Sequence, residues 1–304
     1  MSVKISGVVA ALRATRDKPW SSKGQHALSS KLPSPPAIAG VVDKLSAALF
    51  PQHLGHGPGD ADAIDYFIGH TLSTALAELE HQVRRELAFS REPSESTSPD
   101  AIAKSAAGVI GGFAEGLPDT LEVLKSDIRA AYDGDPSAKS LQEVLLSYPG
   151  IKAIIHHRLA HALFRLGVPI IARVIAERAH SETGIDIHPG AQIARSFFID
   201  HGTGVVIGET AIIGERVRLY QAVTLGAKRF SVDDSGALVK GVPRHPIVEE
   251  DVVIYAGATI LGRVTIGRGS VIGGNVWLTR SVPANSNIIQ ALARSETFDG
   301  GAGI

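Results

Sequence analysis

The chain has 304 residues, of which 44% are hydrophobic and 20% are charged. This length and composition are typical of a globular protein with a full core and room for two domains. The formal net charge of −1 gives no electrostatic reason to expect nucleic acid or an anionic membrane as a partner. No apolar stretch reaches the length of a membrane span. The sequence contains no cysteine, which excludes disulfides and a cysteine nucleophile and fits a cytoplasmic location.

The first part of the chain, residues 1–185, is predicted to be helical. Apolar residues recur at helical spacing in three stretches, over 64–87, 100–131 and 141–179. Two other stretches, 29–36 and 91–99, are rich in proline and serine and have few groups to bury, so they are predicted to be connectors.

From Ile187 onward the pattern changes to an apolar residue at every sixth position, in two runs. Thirteen of these fourteen positions are apolar, and they are Ile187, Ile193, Ile199, Val205, Ala211, Val217, Val223, Val252, Ala258, Val264, Ser270, Val276, Val282 and Ile288. A period of six is typical of a parallel β-helix, in which three repeats form one coil and coils stack about 4.8 Å apart. The sequence therefore predicts a β-helix over 186–290 and a flexible tail over 291–304.

Residues 228–245 separate the two runs and cannot keep the six-residue period. They contain Asp233-Asp234-Ser235-Gly236 and Gly241-Val242-Pro243, which are turn sequences. We predict a loop that projects from the β-helix, and such loops often carry function because the scaffold holds them in place.

Several motifs carry a resemblance to a known family. They are 184–191 with Asp186 and His188-Pro189, 200–210 with Asp200-His201-Gly202-Thr203-Gly204, Arg244-His245-Pro246, and, upstream, Asp135-Pro136 and Tyr148-Pro149-Gly150. In order and spacing they resemble the serine O-acetyltransferases, from residue 127 to about residue 287. The resemblance implies an α+β multidomain chain with a helical N-terminal region and a left-handed parallel β-helix. It also implies trimers, which the helical region can pair, and transfer of acetyl from acetyl-CoA to L-serine for cysteine biosynthesis.

The transfer needs a base, because a serine hydroxyl is a poor nucleophile at neutral pH. Histidine is the side chain whose ordinary pKa suits this task, and His201 is the candidate. A carboxylate behind the ring would fix its tautomer. Asp186 precedes His201 by fifteen residues, and a regular coil has eighteen, so the spacing makes contact feasible without requiring it. The resemblance implies that Asp186 and His201 act as a pair.

L-Serine is a zwitterion, so its site should contain both signs of charge. The resemblance implies that Asp135 and Asp200 hold the ammonium group and that Arg244, assisted by His245, holds the carboxylate, in a cleft between neighbouring β-helices. No bound cofactor is expected. Small residues that would let acetyl-CoA approach the backbone, as co-substrate, are Gly226, Ala227, Gly257, Ala258 and Gly274.

Two alternatives share the repeat pattern. One is a hexapeptide-repeat acyltransferase that acts on another hydroxyl substrate. The other is a γ-type carbonic anhydrase, which needs three histidines on zinc; the repeats contain only His188, His201 and His245, and each of these fits the transferase motifs. His156, His157 and His161 in the helical region have no supporting acidic residue, so we interpret them as structural and predict no metal site.

The tail ends in a glycine-containing segment, Phe298-Asp299-Gly300-Gly301-Ala302-Gly303-Ile304. This ending resembles that of serine acetyltransferases that insert their last isoleucine into O-acetylserine sulfhydrylase, where a terminal carboxylate and an apolar side chain can be bound together. We expect deletion of Ile304 to abolish calorimetric binding to the cognate sulfhydrylase and to leave acetyltransferase activity intact. Unchanged binding by the shortened chain would exclude Ile304 as the anchor.

Overall fold

The computed structural model describes residues 5–16, 32–55, 59–90, 98–229 and 232–290, so the tail and Ile304 lie outside the described residues. Within this part the chain forms eight helices before the first strand: α1 Ile5–Arg16, α2 Pro35–Leu49, α3 Ala61–Ser90, α4 Pro99–Glu115, α5 Leu117–Gly134, α6 Leu141–Ser147, α7 Pro149–Arg165 and α8 Pro169–Thr183. None of these helices combines the length and the apolar character needed to cross a membrane.

Prolines divide two of the predicted helical stretches. The stretch 100–131 becomes α4 and α5, and the stretch 141–179 becomes α6, α7 and α8. The later helix at each break begins with a proline in its first two positions, namely Pro118, Pro149 and Pro169. Proline fits the first turn of a helix, where its missing N–H has no partner to lose, but it cannot continue the preceding helix. For the same reason α2 begins at Pro35, so the connector predicted over 29–36 ends two residues early.

Fourteen short strands follow in the described residues between 186 and 290: β1 Asp186–Ile187, β2 Gln192–Ile193, β3 Phe198–Ile199, β4 Val206–Ile207, β5 Ile212–Ile213, β6 Arg218–Leu219, β7 Thr224–Gly226, β8 Ile247–Val248, β9 Val253–Ile254, β10 Thr259–Leu261, β11 Thr265–Ile266, β12 Val271–Ile272, β13 Trp277–Leu278 and β14 Asn287–Ile288. They form three parallel sheets, with the orders β1-β4-β7-β10-β13 (the first sheet), β2-β5-β8-β11 (the second) and β3-β6-β9-β12-β14 (the third). The prediction of a helical region followed by a left-handed parallel β-helix is confirmed.

Two side chains of each repeat point inward, two positions apart, and fill the centre of the β-helix. Val217 and Leu219 are one such pair, and Val223 and Leu225 are the next; all four are buried. The polar exception in the six-residue pattern, Ser270, is also fully buried. Its hydroxyl donates to the Pro283 carbonyl and accepts from the Ser286 N–H, so it leaves no polar group without a partner.

The coils depart from eighteen residues at three places. Asp186 pairs with Val206, twenty positions later, because the corner between β3 and β4 contains two extra residues. Thr224 pairs with Thr259, thirty-five positions later, because the projecting loop is inserted between β7 and β8. Val271 pairs with Asn287, sixteen positions later, so the last coil is two residues short. The eighteen-residue coil assumed for the spacing of Asp186 and His201 is therefore wrong at this point.

A buried ion pair joins the helical region to the first coil. Asp127 on α5 is fully buried and accepts hydrogen bonds from the Arg158 guanidinium of α7 and from the Phe197 N–H at 2.8 Å. Arg158 also donates to the carbonyl of Ala194 at 2.7 Å. Burial raises the pKa of Asp127 to about 6, although the nearby Arg158 charge opposes this rise.

We expect Asp127→Ala to lower the free energy of unfolding by about 3–5 kcal/mol, because it leaves the Arg158 charge buried without its partner. Chemical denaturation of the full chain measures this change. Asp133→Ala on the same helix is the control, since Asp133 is exposed and lies 3.9 Å from Arg129; its loss should cost less than about 1 kcal/mol. Equal effects of the two substitutions would contradict the conclusion that Asp127 stabilises the contact between the helical region and the first coil.

Candidate active site

The predicted site residues gather at two corners of the β-helix, one on each edge of the first sheet. The corner between the third and first sheets contains residues 200–204, here named the His201 corner. The corner between the first and second sheets contains residues 208–211 and the base of the loop at 244–246, here named the Arg244 corner. Both corners coincide with interruptions of the regular repeat, since the first holds the two extra residues and the second holds the inserted loop.

His201 projects from its corner into solvent. Its backbone has φ of +61°, a left-handed conformation that non-glycine residues seldom adopt, and its side chain is 70% exposed. Asp200 beside it is buried, with its Oδ1 3.8 Å from Nδ1 of His201 and its Oδ2 accepting a 2.6 Å hydrogen bond from Arg218. An exposed imidazole next to a buried carboxylate is suited to accept a proton from a bound hydroxyl.

Asp135 reaches the same corner from the helical region, directly after α5. Its Oδ2 accepts a 2.5 Å hydrogen bond from the Tyr148 hydroxyl, and its Oδ1 accepts from the N–H and hydroxyl of Ser137. These hydrogen bonds, with a smaller contribution from the Arg218 charge, lower the pKa of Asp135. The two predicted ammonium ligands, Asp135 and Asp200, therefore share one corner and one neighbouring cation.

Asp186 occupies the outward position of β1, and within one chain no hydrogen bond or ion pair of the described residues joins it to His201. Its carboxylate lies instead beside the end of α8, where the ligand atoms of Asp186, Glu177 and His180 are within 4.8 Å of one another. The Asp186 N–H donates to the carbonyl of Val205, four residues after His201. A contact between the two side chains therefore requires a change of side-chain conformation.

The Arg244 corner is held together by Thr210. The Thr210 hydroxyl accepts hydrogen bonds from the N–H groups of Arg244 and His245, and the Thr210 N–H donates to Nδ1 of His245 at 3.0 Å. The Arg244 guanidinium donates to Glu209 at 2.7 Å. Arg263 donates to the carbonyls of Thr210 and His245, so its guanidinium supports the corner.

His245 is buried, and its ring packs against Gly208, where a Cβ would lie 2.0 Å from the imidazole. Only glycine fits this position. Burial, followed by the nearby positive charge of Arg244, lowers the pKa of His245 to about 4. The ring is therefore neutral at physiological pH, with Nδ1 as an acceptor and the proton on Nε2, which suits a hydrogen bond to an anion.

Along the first sheet the two corners are separated by about five residues, which at about 3.3 Å per residue is roughly 16 Å. His201, Asp200 and Asp135 lie on one side of this sheet, and Arg244 and His245 lie on the other. The ammonium and carboxylate groups of an amino acid are attached to the same carbon atom. One chain therefore cannot hold both groups of one amino acid with all the predicted ligands.

The predicted CoA residues are divided in the same way. Gly226 and Ala227 lie at the Arg244 corner, and Gly257 and Gly274 lie above the His201 corner. Gly257 has φ of +72°, and a Cβ there would be 2.2 Å from the Asn275 side chain, so packing within the chain already requires glycine. Ala258 is fully buried in the centre of the β-helix. Its side chain faces inward, because inward positions alternate with outward ones, and an approach of acetyl-CoA to its backbone stays a prediction.

Tyr148, Glu209 and Arg218 are among the residues that the sequence analysis left without a role and that contribute to these corners. Tyr148 belongs to the Tyr148-Pro149-Gly150 motif, and Glu209 lies within the motif 200–210. Their position inside these motifs is a signal from which a role in the site could have been predicted. Arg218 stands at an outward position of β6 and has no motif of its own. Its neighbours are known only from the strand pairing, in which Arg218 pairs with Phe198 of the coil before and with Val253 of the coil after.

Comparison with known proteins identifies the family. A model of the bacterial transferase hexapeptide family, with six repeats, matches residues 245–280. A plasmid-encoded serine acetyltransferase from Synechococcus elongatus is 52% identical over 305 residues, which cover 99% of this chain and 95% of that protein. The chain belongs to the serine acetyltransferase family.

Solved structures of serine acetyltransferases agree with this assignment. Serine acetyltransferase 1 of Entamoeba histolytica, in complex with L-cysteine, is 36% identical, has a TM-score of 0.71, and is matched over 83% of this chain and 86% of that one. The Brucella abortus serine acetyltransferase in complex with coenzyme A is 29% identical, has a TM-score of 0.54, and is matched over 85% and 94%.

The lowered pKa of His245 predicts a pH dependence of stability for this acetyltransferase. An unfolded histidine titrates near pH 6.5, whereas His245 in the folded chain stays neutral down to about pH 4. Between these values the unfolded chain binds more protons, so stability falls as the pH falls from 6.5 to 4.

His245→Gln retains an acceptor for the Thr210 N–H and removes the titrating group, so it should reduce this loss of stability. Chemical denaturation of both proteins at pH 7, 5.5 and 4.5 measures the difference. The prediction fails if both proteins lose equal stability over this range.

Proposed function

We propose that this serine O-acetyltransferase carries out its reaction at a site shared by two copies of the chain, with the His201 corner of one copy facing the Arg244 corner of the next. The observation that supports this proposal is the placement of an exposed imidazole and two carboxylates on one edge of the first sheet, and of the arginine on the other. A head-to-tail ring of three chains would bring the two kinds of corner together at every interface.

The surface between the corners supports this arrangement. Val206 and Trp277 occupy outward positions of the first sheet and are 37% and 70% exposed. A solvent-exposed tryptophan on a sheet face is typical of a contact surface. In the proposed trimer the first sheet of each chain faces the three-fold axis, where Trp277 would be covered.

At this shared site Asp200 and Asp135 would bind the ammonium group of serine, and Arg244 and His245 of the neighbouring chain would bind its carboxylate. Charge-assisted hydrogen bonds of this kind fix the orientation of the substrate. Arg244 already has its guanidinium aligned by Glu209, which limits the conformational entropy lost on binding. The acetyl-CoA chain would lie between the two β-helices, beside Gly257 and Gly274.

In the chemical step the neutral His201 imidazole takes the proton from the serine hydroxyl while the oxygen attacks the thioester carbonyl carbon. A C–O bond forms, and the carbonyl becomes a tetrahedral oxyanion. The oxyanion collapses, the C–S bond breaks, and the leaving sulfur takes the proton from the imidazolium. The products are O-acetylserine and CoA. Asp186 would stabilise the imidazolium after His201 rotates towards β1.

Two further features of the chain belong to this proposal. We place the enzyme in the cytoplasm, which its lack of cysteine fits. We also propose that Ile304, which lies outside the described residues, binds O-acetylserine sulfhydrylase, as the likeness of its C-terminal sequence implies.

A mixing experiment tests the shared site. His201→Asn should lower turnover by about 10²–10⁴ through loss of the general base, and Arg244→Ala should raise the serine KM at least about tenfold through loss of a charged hydrogen bond. Each variant alone should retain at most about a tenth of wild-type activity at low serine. When the two are co-expressed at equal levels with different tags, about a third of the interfaces in mixed trimers pair an intact His201 with an intact Arg244.

We therefore expect purified mixed trimers to recover about a third of wild-type activity at low serine. Trimers that carry only one variant are the controls. If both residues acted from the same chain, no site in a mixed trimer would be complete, and activity would equal the average of the two variants.

A further inference from the structure

Arg218 is held rigidly beside the two acidic residues of the His201 corner. Its guanidinium packs on two aromatic rings, with its central carbon 4.9 Å from the Phe198 ring centre and 4.6 Å from that of Tyr220. Phe198 is buried, and Tyr220 in turn stacks on Tyr255 at 4.9 Å. These two ring contacts, together with the hydrogen bond to Asp200, restrict the guanidinium more than that of a solvated surface arginine.

This orientation commits one oxygen of Asp200. Nη2 of Arg218 donates to Oδ2 of Asp200 at 2.6 Å, while Oδ1 of the same carboxylate is the oxygen that faces His201. The Asp200 backbone is fixed as well, because its N–H donates to the Leu219 carbonyl at 2.8 Å. Asp200 thus presents a single oxygen towards the base, and Arg218 determines which one.

The same guanidinium balances the charge of the corner. Asp135 approaches it from the end of α5, where a Cβ on the preceding Gly134 would lie 3.7 Å from Nη1 of Arg218. Two carboxylates and one fixed cation leave a net charge of about −1, which one ammonium group neutralises. Without Arg218 the two carboxylates would repel each other and would be free to turn away from His201.

We propose that Arg218 is a positioning residue for the ammonium subsite: it holds Asp200 with Oδ1 towards His201 and leaves the two carboxylates with a single unbalanced charge. This inference rests on the proposed function, because it assigns the ammonium group of serine to Asp200 and Asp135. In this proposal Arg218 acts through Asp200, to which its Nη2 donates, and not through the substrate carboxylate.

Steady-state kinetics of Arg218→Met tests the proposal. We expect the serine KM to rise at least about tenfold, because the charged hydrogen bond that orients Asp200 towards the ammonium group is lost. The acetyl-CoA KM should stay unchanged. L-Serinamide, which has the ammonium and hydroxyl groups but no carboxylate, should show the same fold increase. An increase for serine alone would mean that Arg218 binds the carboxylate and would overturn the proposal, as would an unchanged serine KM.

Two further variants keep the test decisive. Arg218→Lys retains the charge but not the planar guanidinium. It should raise the KM less than Arg218→Met does, and by the same factor for serine and for serinamide. A wild-type KM in this variant would also overturn the proposal. Arg216→Met is the matched control, because Arg216 forms an exposed pair with Asp251 at a different corner. If wild type and Arg216→Met turn over serine normally but the Arg218 variants do not show the expected rise in KM, this inference is wrong and the proposed function stands.

Discussion

The buried carboxylate of Asp127 fixes the helical region against the first coil of the β-helix. The position of Asp135 in the candidate site depends on this contact. The Asp127 carboxylate binds Arg158 of α7 and the N–H of Phe197, the residue that precedes β3. Asp127 and Asp135 are joined by the last two turns of α5, so fixing Asp127 against the first coil also fixes where α5 ends. The end of α5 brings Asp135 close to Arg218, so a residue of the helical region joins the His201 corner. A buried charge that costs free energy on its own is stabilised here by a complete set of donors.

A large part of the fold could be predicted because the β-helix repeats one physical requirement, an inward apolar side chain in every turn of six. The same regularity concealed the extra residues at the His201 corner. Each repeat has two inward positions two residues apart, so Ile199 occupies the second position of its repeat and Val205 the first of the next. An insertion of two residues exchanges these positions and leaves an apolar residue at every sixth place. Only the strand pairing, with twenty residues in the first coil, reveals it.

The helical region was less predictable, because its stability depends on contacts between distant segments. Glu86 of α3 is fully buried and accepts hydrogen bonds from the N–H groups of Ile170 and Ile171, at 2.8 Å each. It supplies the cap that α8 does not find in its own N-cap residue, Val168. The sequence shows a glutamate in a helix and gives no reason to expect it inside the core. Arg218 could not be assigned for the same reason, since its ring neighbours and its carboxylate partner come together only through strand register.

The two interruptions of the repeat explain why the predicted site residues lie at corners and why we propose a site shared by two chains. In a regular coil every strand pairs with its neighbours above and below, and outward side chains stand in straight rows that diverge from one another. Such rows cannot converge on a small zwitterion. Two extra residues allow His201 to adopt a left-handed conformation and stand clear of the surface, and the inserted loop returns Arg244 to the opposite edge. Because the two interruptions lie on opposite edges of one flat sheet, no bending of a single β-helix brings them together. A second copy can place them face to face, so the same rigidity that separates the charges within a chain would hold them in a constant geometry across an interface.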